Sequence, residues 1–260
     1  MHIPGEEIEK NVSELGKNIA EDLLRPTSKS VGDNIGLFVD GVMGWLGYLG
    51  EKQRIKRELY IANYKSKIIE KIEKIPGDRL EEPKLRIVGP AIEASKYFIE
   101  EEECRDMFAN LIASSCDSSF NNRVHPGFID IIKQLTPLDA RFISMFKSES
   151  TFPAVHVRRK NEDGSITPFP FLFVDCKQYN FTYTTQDVLE ITKSIDNLKR
   201  FGLVVLNQDI IELGYDYDSF KSQEIIHALI DGLGEEGFFF KKYRLELSEL
   251  GKDFIDTCIR

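Results

Sequence analysis

The period of the hydrophobic pattern changes once along this chain, near Pro153, and that change decides the fold class. Up to Phe146 the apolar residues recur at the spacing of one helix face, as in Phe128, Ile131, Ile132 and Leu135, then Leu138, Phe142, Met145 and Phe146. Beyond Pro153 they alternate: Val155 and Val157, a turn at Glu162-Asp163-Gly164-Ser165, then Phe169, Phe171 and Phe173. One element cannot serve both periods. The chain therefore predicts an α+β fold, mostly helical, with a helical amino-terminal half and a winged-helix-like carboxyl-terminal half containing short hairpins. Proline and glycine at Arg25-Pro26, Ile75-Pro76-Gly77 and Thr151-Phe152-Pro153 divide it into regions 1–75, 76–150 and 151–260.

In the first region Val12, Leu15, Ile19 and Leu23 open an amphipathic helix, and a glycine-rich apolar segment follows at 31–51. At about 100° per residue this segment has three faces. Ile35, Phe38, Val39, Val42, Trp45, Leu46 and Leu49 lie on one side, Asp33, Asp40 and Glu51 opposite, and Gly32, Gly36, Gly47 and Gly50 between them. Interior glycines disfavour a helix by about 1 kcal/mol each, so their number implies a packing requirement or a conformational change. A buried core helix is the leading reading; self-association or conditional membrane insertion through Gly32, Gly36, Asp40, Trp45, Gly47 and Gly50 is the functional one. The stretch Glu51 to Ile75 is the clearest basic patch, with Lys65, Lys67, Lys71 and Lys74 on the solvated side of a seam formed by Ile55, Leu59, Ala62, Ile69 and Ile72. Those four lysines are candidate anion ligands, against the simpler reading of a solvated face.

The middle region has firmer local signals. Pro90 suits a first helical position, Glu100 to Glu103 suit a helix start, and Thr136-Pro137-Leu138-Asp139 combines an N-cap, a proline at N1 and an acid at N3. His125 before Pro126 reads as a capping or packing residue rather than a catalyst. In the last region Thr184 and Asp187 start a helix that carries Val188, Ile191, Ile195 and Leu198 to Phe201-Gly202. A short strand at 203–206, a helix at 223–233, a strand pair near 238–247 and a last helix from Ser248 complete the pattern. Phe108, Leu111, Phe128, Ile132, Phe142, Leu198 and Phe254 are the predicted core.

A net charge of -9 opposes nucleic-acid binding through the overall field. Cys104, Cys116, Cys176 and Cys258 show no metal-ligand spacing and read as reduced, buried thiols, and the acidic, proline-containing start does not read as an export signal. The apolar run is interrupted by Asp40 and is too short for a constitutive membrane span. A cytoplasmic protein is expected, with membrane association only on activation. No phosphate loop, HExxH, GxSxG or GxGxxG pattern is present. The best enzymatic candidate is Asp175 with Lys177 after the strand ending at Val174, a pairing suited to a metal-dependent nuclease; the second carboxylate this needs is not placed by the sequence, Asp163 being one candidate, and a solvated strand end is the preferred reading. No cofactor, metal or catalytic residue is expected.

The order Glu82-Pro83, Gly89-Pro90-Ala91, Arg105-Asp106-Met107-Phe108-Ala109-Asn110-Leu111, His125-Pro126 and Leu135-Thr136-Pro137 resembles the core signature of the abortive infection alpha family of bacterial proteins. The segments 196–203 and 247–254 resemble its later part, and Cys104 departs from the pattern. The resemblance implies phage defence in which an infected cell stops growing or dies before progeny emerge, and it carries no catalytic residue onto this chain. The expected function is a non-enzymatic sensor or effector of that defence. Its expected partners are a second copy, another protein, a phage component or, conditionally, a membrane. A winged-helix nucleic-acid-binding regulator and a metal-dependent nuclease are the alternatives.

Overall fold

The computed structural model describes residues 54–176, 184–208, 210–234 and 236–259. The glycine-rich segment and Lys177 lie outside them. The chain divides into two compact units, Met1–Ile129 and Asp130–Arg260.

The described part of the first unit is built on α1 (Arg54–Glu73), α2 (Leu85–Ser95) and α3 (Glu102–Ser114). Helix α1 buries Tyr64, Ile68 and Ile72, one stripe at four-residue spacing that packs on α3. The seam therefore differs from the expected one: Ile72 belongs to it, Ile69 is half-buried and Ala62 is exposed, because the stripe through Tyr64 offers far more apolar area than the one through Ala62. Pro90 also departs from expectation, sitting inside α2 rather than at its start. Its missing N–H leaves the Arg86 carbonyl without an intrahelical donor, and both residues are exposed, so water can take that place. Glu101 is the N-cap of α3 and Glu102 and Glu103 occupy its first turn, as the acidic run predicts.

Within this unit the turn after α1 and the turn after α3 are tied by a forked ion pair. Arg79 donates from Nε to Asp117 Oδ1 at 3.2 Å and from Nη2 to Oδ2 at 2.6 Å. Burial alone would raise the Asp117 carboxyl, but the bonds from Arg79 and from the Ser119 hydroxyl and N–H hold it below its ordinary value. His125 caps as expected, its Nδ1 accepting from Gly127 N at 3.0 Å where α4 (Gly127–Gln134) begins.

The second unit contains α5 (Pro137–Ser144), β1 (Thr151–Lys160), β2 (Ile166–Val174), α6 (Thr185–Arg200), β3 (Val204–Asn207), α7 (Glu224–Leu233), β4 (Phe238–Leu247) and α8 (Glu249–Phe254), which runs on into a π-helical turn, Ile255–Ile259. The strands form an antiparallel sheet in the order β2-β1-β4-β3. The β1–β2 hairpin is the one expected from the alternation. The expected strand pair near 238–247 is instead the single strand β4, which is long enough to pair with β1 on one side and β3 on the other. Alternation places Val155, Val157 and Phe173 on one sheet face, where Tyr217, Phe220 and Ile226 cover them.

Helix α6 packs against β2 and β3. Its Thr192 hydroxyl accepts from Leu172 N at 3.0 Å and donates to Val188 O at 2.7 Å, closing an edge group of β2. Gly202 follows α6 with φ of 72°, the left-handed conformation that ends helices. Gly251 is needed for contact: a Cβ there would lie 1.9 Å from the Leu203 carbonyl oxygen. Phe108, Leu111, Phe128, Ile132, Phe142, Leu198 and Phe254 are all 0% exposed. Cys104, Cys116, Cys176 and Cys258 form no disulfide and are buried.

Candidate functional site

Two of the stretches of the second unit that carry the resemblance, around Thr136-Pro137 and Asn197, meet in one cleft. Thr136 caps α5, accepting from Asp139 N at 3.1 Å, while Asp139 Oδ2 accepts from Thr136 N at 2.8 Å, a complete capping box. The same Asp139 oxygen accepts from Asn197 Nδ2 of α6 at 2.8 Å. Asn197 Oδ1 in turn accepts from Arg200 Nη2 at 2.8 Å, and that guanidinium also reaches Gln134 Oε1 at 3.4 Å. Asp139 is 2% exposed, so its charge is held by hydrogen bonds and the α5 terminus rather than by a contacting cation.

These bonds frame a cleft of about 430 Å³ lined by Thr136 to Asp139 and by Glu190, Lys193, Ser194 and Asn197 of α6. Positions 190, 193, 194 and 197 share one face by the helical period. Leu138, expected to be buried, is half-exposed because it forms a wall of this cleft. Ser194 is 3% exposed, and its Oγ has no hydrogen-bond partner.

Asp175 lies elsewhere, in a cavity of about 620 Å³ also lined by Glu149, Thr151, Glu212 and Tyr215. It accepts from the Tyr215 hydroxyl at 2.5 Å, and burial together with that carboxylate pushes the hydroxyl above its ordinary value. Asp163 cannot be its second carboxylate. It sits in the turn at the opposite end of the β1–β2 hairpin, bonded to Ser165, roughly 25 Å away at about 3.3 Å per strand residue. Among the described residues no group of three or more His, Cys, Asp or Glu could hold a metal ion.

The basic helix is less open than its sequence suggests. Lys67 bonds Asp106 of α3 at 2.6 Å, and Lys74 bonds Glu70 at 2.6 Å. Lys65 and Lys71 are half-buried, and burial lowers the Lys71 ammonium below its ordinary value. Lys67 is thus drawn to the α1–α3 packing rather than standing on a solvated face. Gly32, Gly36, Asp40, Trp45, Gly47 and Gly50 lie outside the described residues. Among the described residues no helix is long and apolar enough to cross a membrane.

Sequence reasoning passed over Ser194 and Asn197. Ser194 falls inside the apolar stripe Val188, Ile191, Ile195 and Leu198, and a serine among inward positions was the available signal. Asn197 could not be paired with Asp139 before their tertiary contact was known.

No curated protein matches the chain. A solved structure, of an uncharacterized protein from the hydrocarbon-degrading marine bacterium Alcanivorax borkumensis SK2, is similar at 13% identity over 53% of this chain and 92% of that one, with a TM-score of 0.33. The model of the family described as Abortive infection alpha matches residues 56–258, most of the chain and every element described above except the first two residues of α1 and the last of the π-helical turn, and the protein belongs to that family.

Proposed function

We propose that this protein limits phage infection by making a protein contact rather than by catalysis, with the infected cell arrested or lost before phage are released. The observation that carries the reading is the family match over residues 56–258. The chemistry of α6 supports protein over nucleic acid as the partner. Lys199 lies 3.4 Å from Asp196, and Arg200 is engaged by Asn197 and stacks over Phe201 at 4.4 Å, so the helix presents little uncompensated positive charge. A winged-helix-like use of α6, Gly202 and the β3–β4 pair would on this reading also serve protein recognition. Self-association, or membrane contact through the glycine-rich segment on activation, would be the effector step.

The test is infection of bacteria with and without the gene at low and high phage-to-cell ratios, following culture density and phage yield. Fewer phage with early arrest or collapse at the high ratio is the expected result. Equal yields across a broad phage panel would overturn the reading. Salt-sensitive nucleic-acid binding by the purified chain, lost on replacing Lys65, Lys67 and Lys71, would favour the regulator instead.

A further inference from the structure

We infer that the open edge of β4 is the docking site for an extended acidic and apolar segment of a partner protein, which adds a strand to the sheet in line with β3. Strand β4 runs over Phe238–Leu247, but β3 pairs only with Arg244 to Leu247. The ladder fixes where the rest of the backbone points. Lys160 N donates to Gly237 O at 2.8 Å on the β1 side, and Ser248 N donates to Leu203 O at 3.0 Å on the β3 side. Backbone groups alternate between the two sides of an antiparallel strand, and neither register slips along β4. Phe239, Lys241 and Tyr243 therefore turn their N–H and C=O to β1, while Phe238, Phe240 and Lys242 turn theirs outward. Among the described residues no strand lies opposite those three. The β2 edge is closed by contrast: Pro168 and Pro170 have no N–H, and Leu172 N is taken by Thr192.

An edge of this kind selects for polypeptide, because N–H and C=O groups repeating at strand spacing are met in full by another main chain. Along it lies a groove of about 300 Å³, walled by Val157, by Ile230 of α7 and by Asp218 and Lys221 of the 3₁₀ turn Tyr217–Ser222. The side chains of the edge then set the sequence of the added strand. Residues opposite one another share a sheet face, so positions facing Phe238 and Phe240 enter the groove and call for apolar side chains. The position facing Phe239, which is 39% exposed, does the same on the other face. Lys241 and Lys242 form no ion pair among the described residues and lie over the Tyr243 and Tyr217 rings, at 5.4 and 5.1 Å, while Asp218 is already paired with Lys221 at 3.5 Å. Acidic residues opposite the two lysines complete the match. The same lysines argue against a second copy, because pairing two β4 edges would bring Lys241 and Lys242 of both strands onto one ladder. The added strand is one form of the protein contact proposed above and rests on that reading for its biological meaning, whereas the edge itself does not.

The experiment uses the full chain, labelled for backbone-amide NMR. In the free protein the Phe238, Phe240 and Lys242 amide protons should exchange faster than those of Phe239, Lys241 and Tyr243, an alternation that general unfolding does not produce. The probe is the peptide Ac-Glu-Glu-Val-Ile-Val-amide, which read antiparallel faces Lys242 to Phe238. Its controls are the same peptide with lysines for the glutamates, the same peptide methylated at both valine nitrogens, and an oligothymidylate. The acidic peptide should slow exchange at the three outward amides, both altered peptides should bind more weakly, and Lys242→Glu should lower the affinity of the acidic peptide about three- to tenfold. Retention of the alternating pattern establishes that the variant is folded, and Lys241→Glu replaces it if it is not. Equal exchange at all six amides, equal binding of the methylated peptide, or unchanged affinity in the charge-reversed variant would each overturn the inference. So would no protection by the acidic peptide, protection by the oligothymidylate alone, or protection that grows with protein concentration without any peptide. None of these readouts depends on whether the gene protects against phage, so a failed infection assay and a failed edge remain distinguishable.

Discussion

Removing either partner of the Asp139–Asn197 contact should destabilise the second unit, and removing both should cost little more than removing Asp139 alone. Asp139→Ala deletes two bonds accepted by one buried oxygen, from Thr136 N and from Asn197 Nδ2, each 2.8 Å long. The capping bond is worth about 1 kcal/mol, a hydrogen bond to a charged group about 1.5–3 kcal/mol, and the lost charge at the helix start some further tenths. A loss of about 3 kcal/mol follows. Asn197→Ala removes only the interhelix bond, although Arg200 then loses an acceptor too, and should cost about 2 kcal/mol. The informative quantity is the coupling from the double-mutant cycle, expected at about 1–2 kcal/mol because the two side chains share one bond. Urea unfolding followed by circular dichroism measures it, with the slope checked so that a changed midpoint reports stability. Coupling below about 0.5 kcal/mol, with both single variants folded, would mean that the bond is not a structural tie and that the argument from burial is wrong.

Three further outcomes follow from single contacts. Gly251→Ala places a Cβ 1.9 Å from the Leu203 carbonyl oxygen, so α8 must move away from β3 and thermal stability should drop by at least several degrees; an unchanged melting temperature would contradict the packing. Thr192→Val removes the acceptor for Leu172 N while keeping the side-chain shape, and should cost about 1–3 kcal/mol with faster exchange of the Leu172 amide proton; unaltered exchange would refute the edge closure. Burial, reinforced by Arg158 and Lys199, holds the His156 imidazole below its ordinary value of 6.5 despite the Phe171 carbonyl and Asp196, which act the other way. The unfolded chain therefore gains a proton first as pH falls: this contribution is fully present above about 6.5 and is lost between there and the depressed folded value. His156→Gln should flatten the stability profile across that window, and an unchanged slope would remove His156 as its source.

Local chemistry was the legible part of this fold. The Thr136 and Thr184 caps, the Gly202 terminator and the β1–β2 hairpin are decided within a few residues, and each lies where its signal placed it. What sequence could not decide depends on partners distant in the chain. The α1 stripe runs through Tyr64 and Ile68 because α3 meets that side, and Pro90 is tolerated in α2 because its turn faces water. β4 is one strand because β1 and β3 both pair with it. The candidate site was hidden for the same reason: Asn197 and Asp139 are 58 residues apart, and neither is unusual until they touch.

The roles of the resemblance residues also explain why the family could be recognised while its mechanism could not. Thr136, Pro137 and Asn197 set the start of α5 and fix α6 against it. Such residues are constrained by geometry whatever the protein acts on, so a pattern built from them identifies a fold without naming a target. The Ser194 hydroxyl, by contrast, has no partner in a helix where Thr192, two residues earlier, has both its donor and its acceptor engaged. Replacing Thr192 should therefore lower stability, whereas replacing Ser194 with alanine should leave it nearly unchanged; a loss at Ser194 as large as that at Thr192 would refute the contrast.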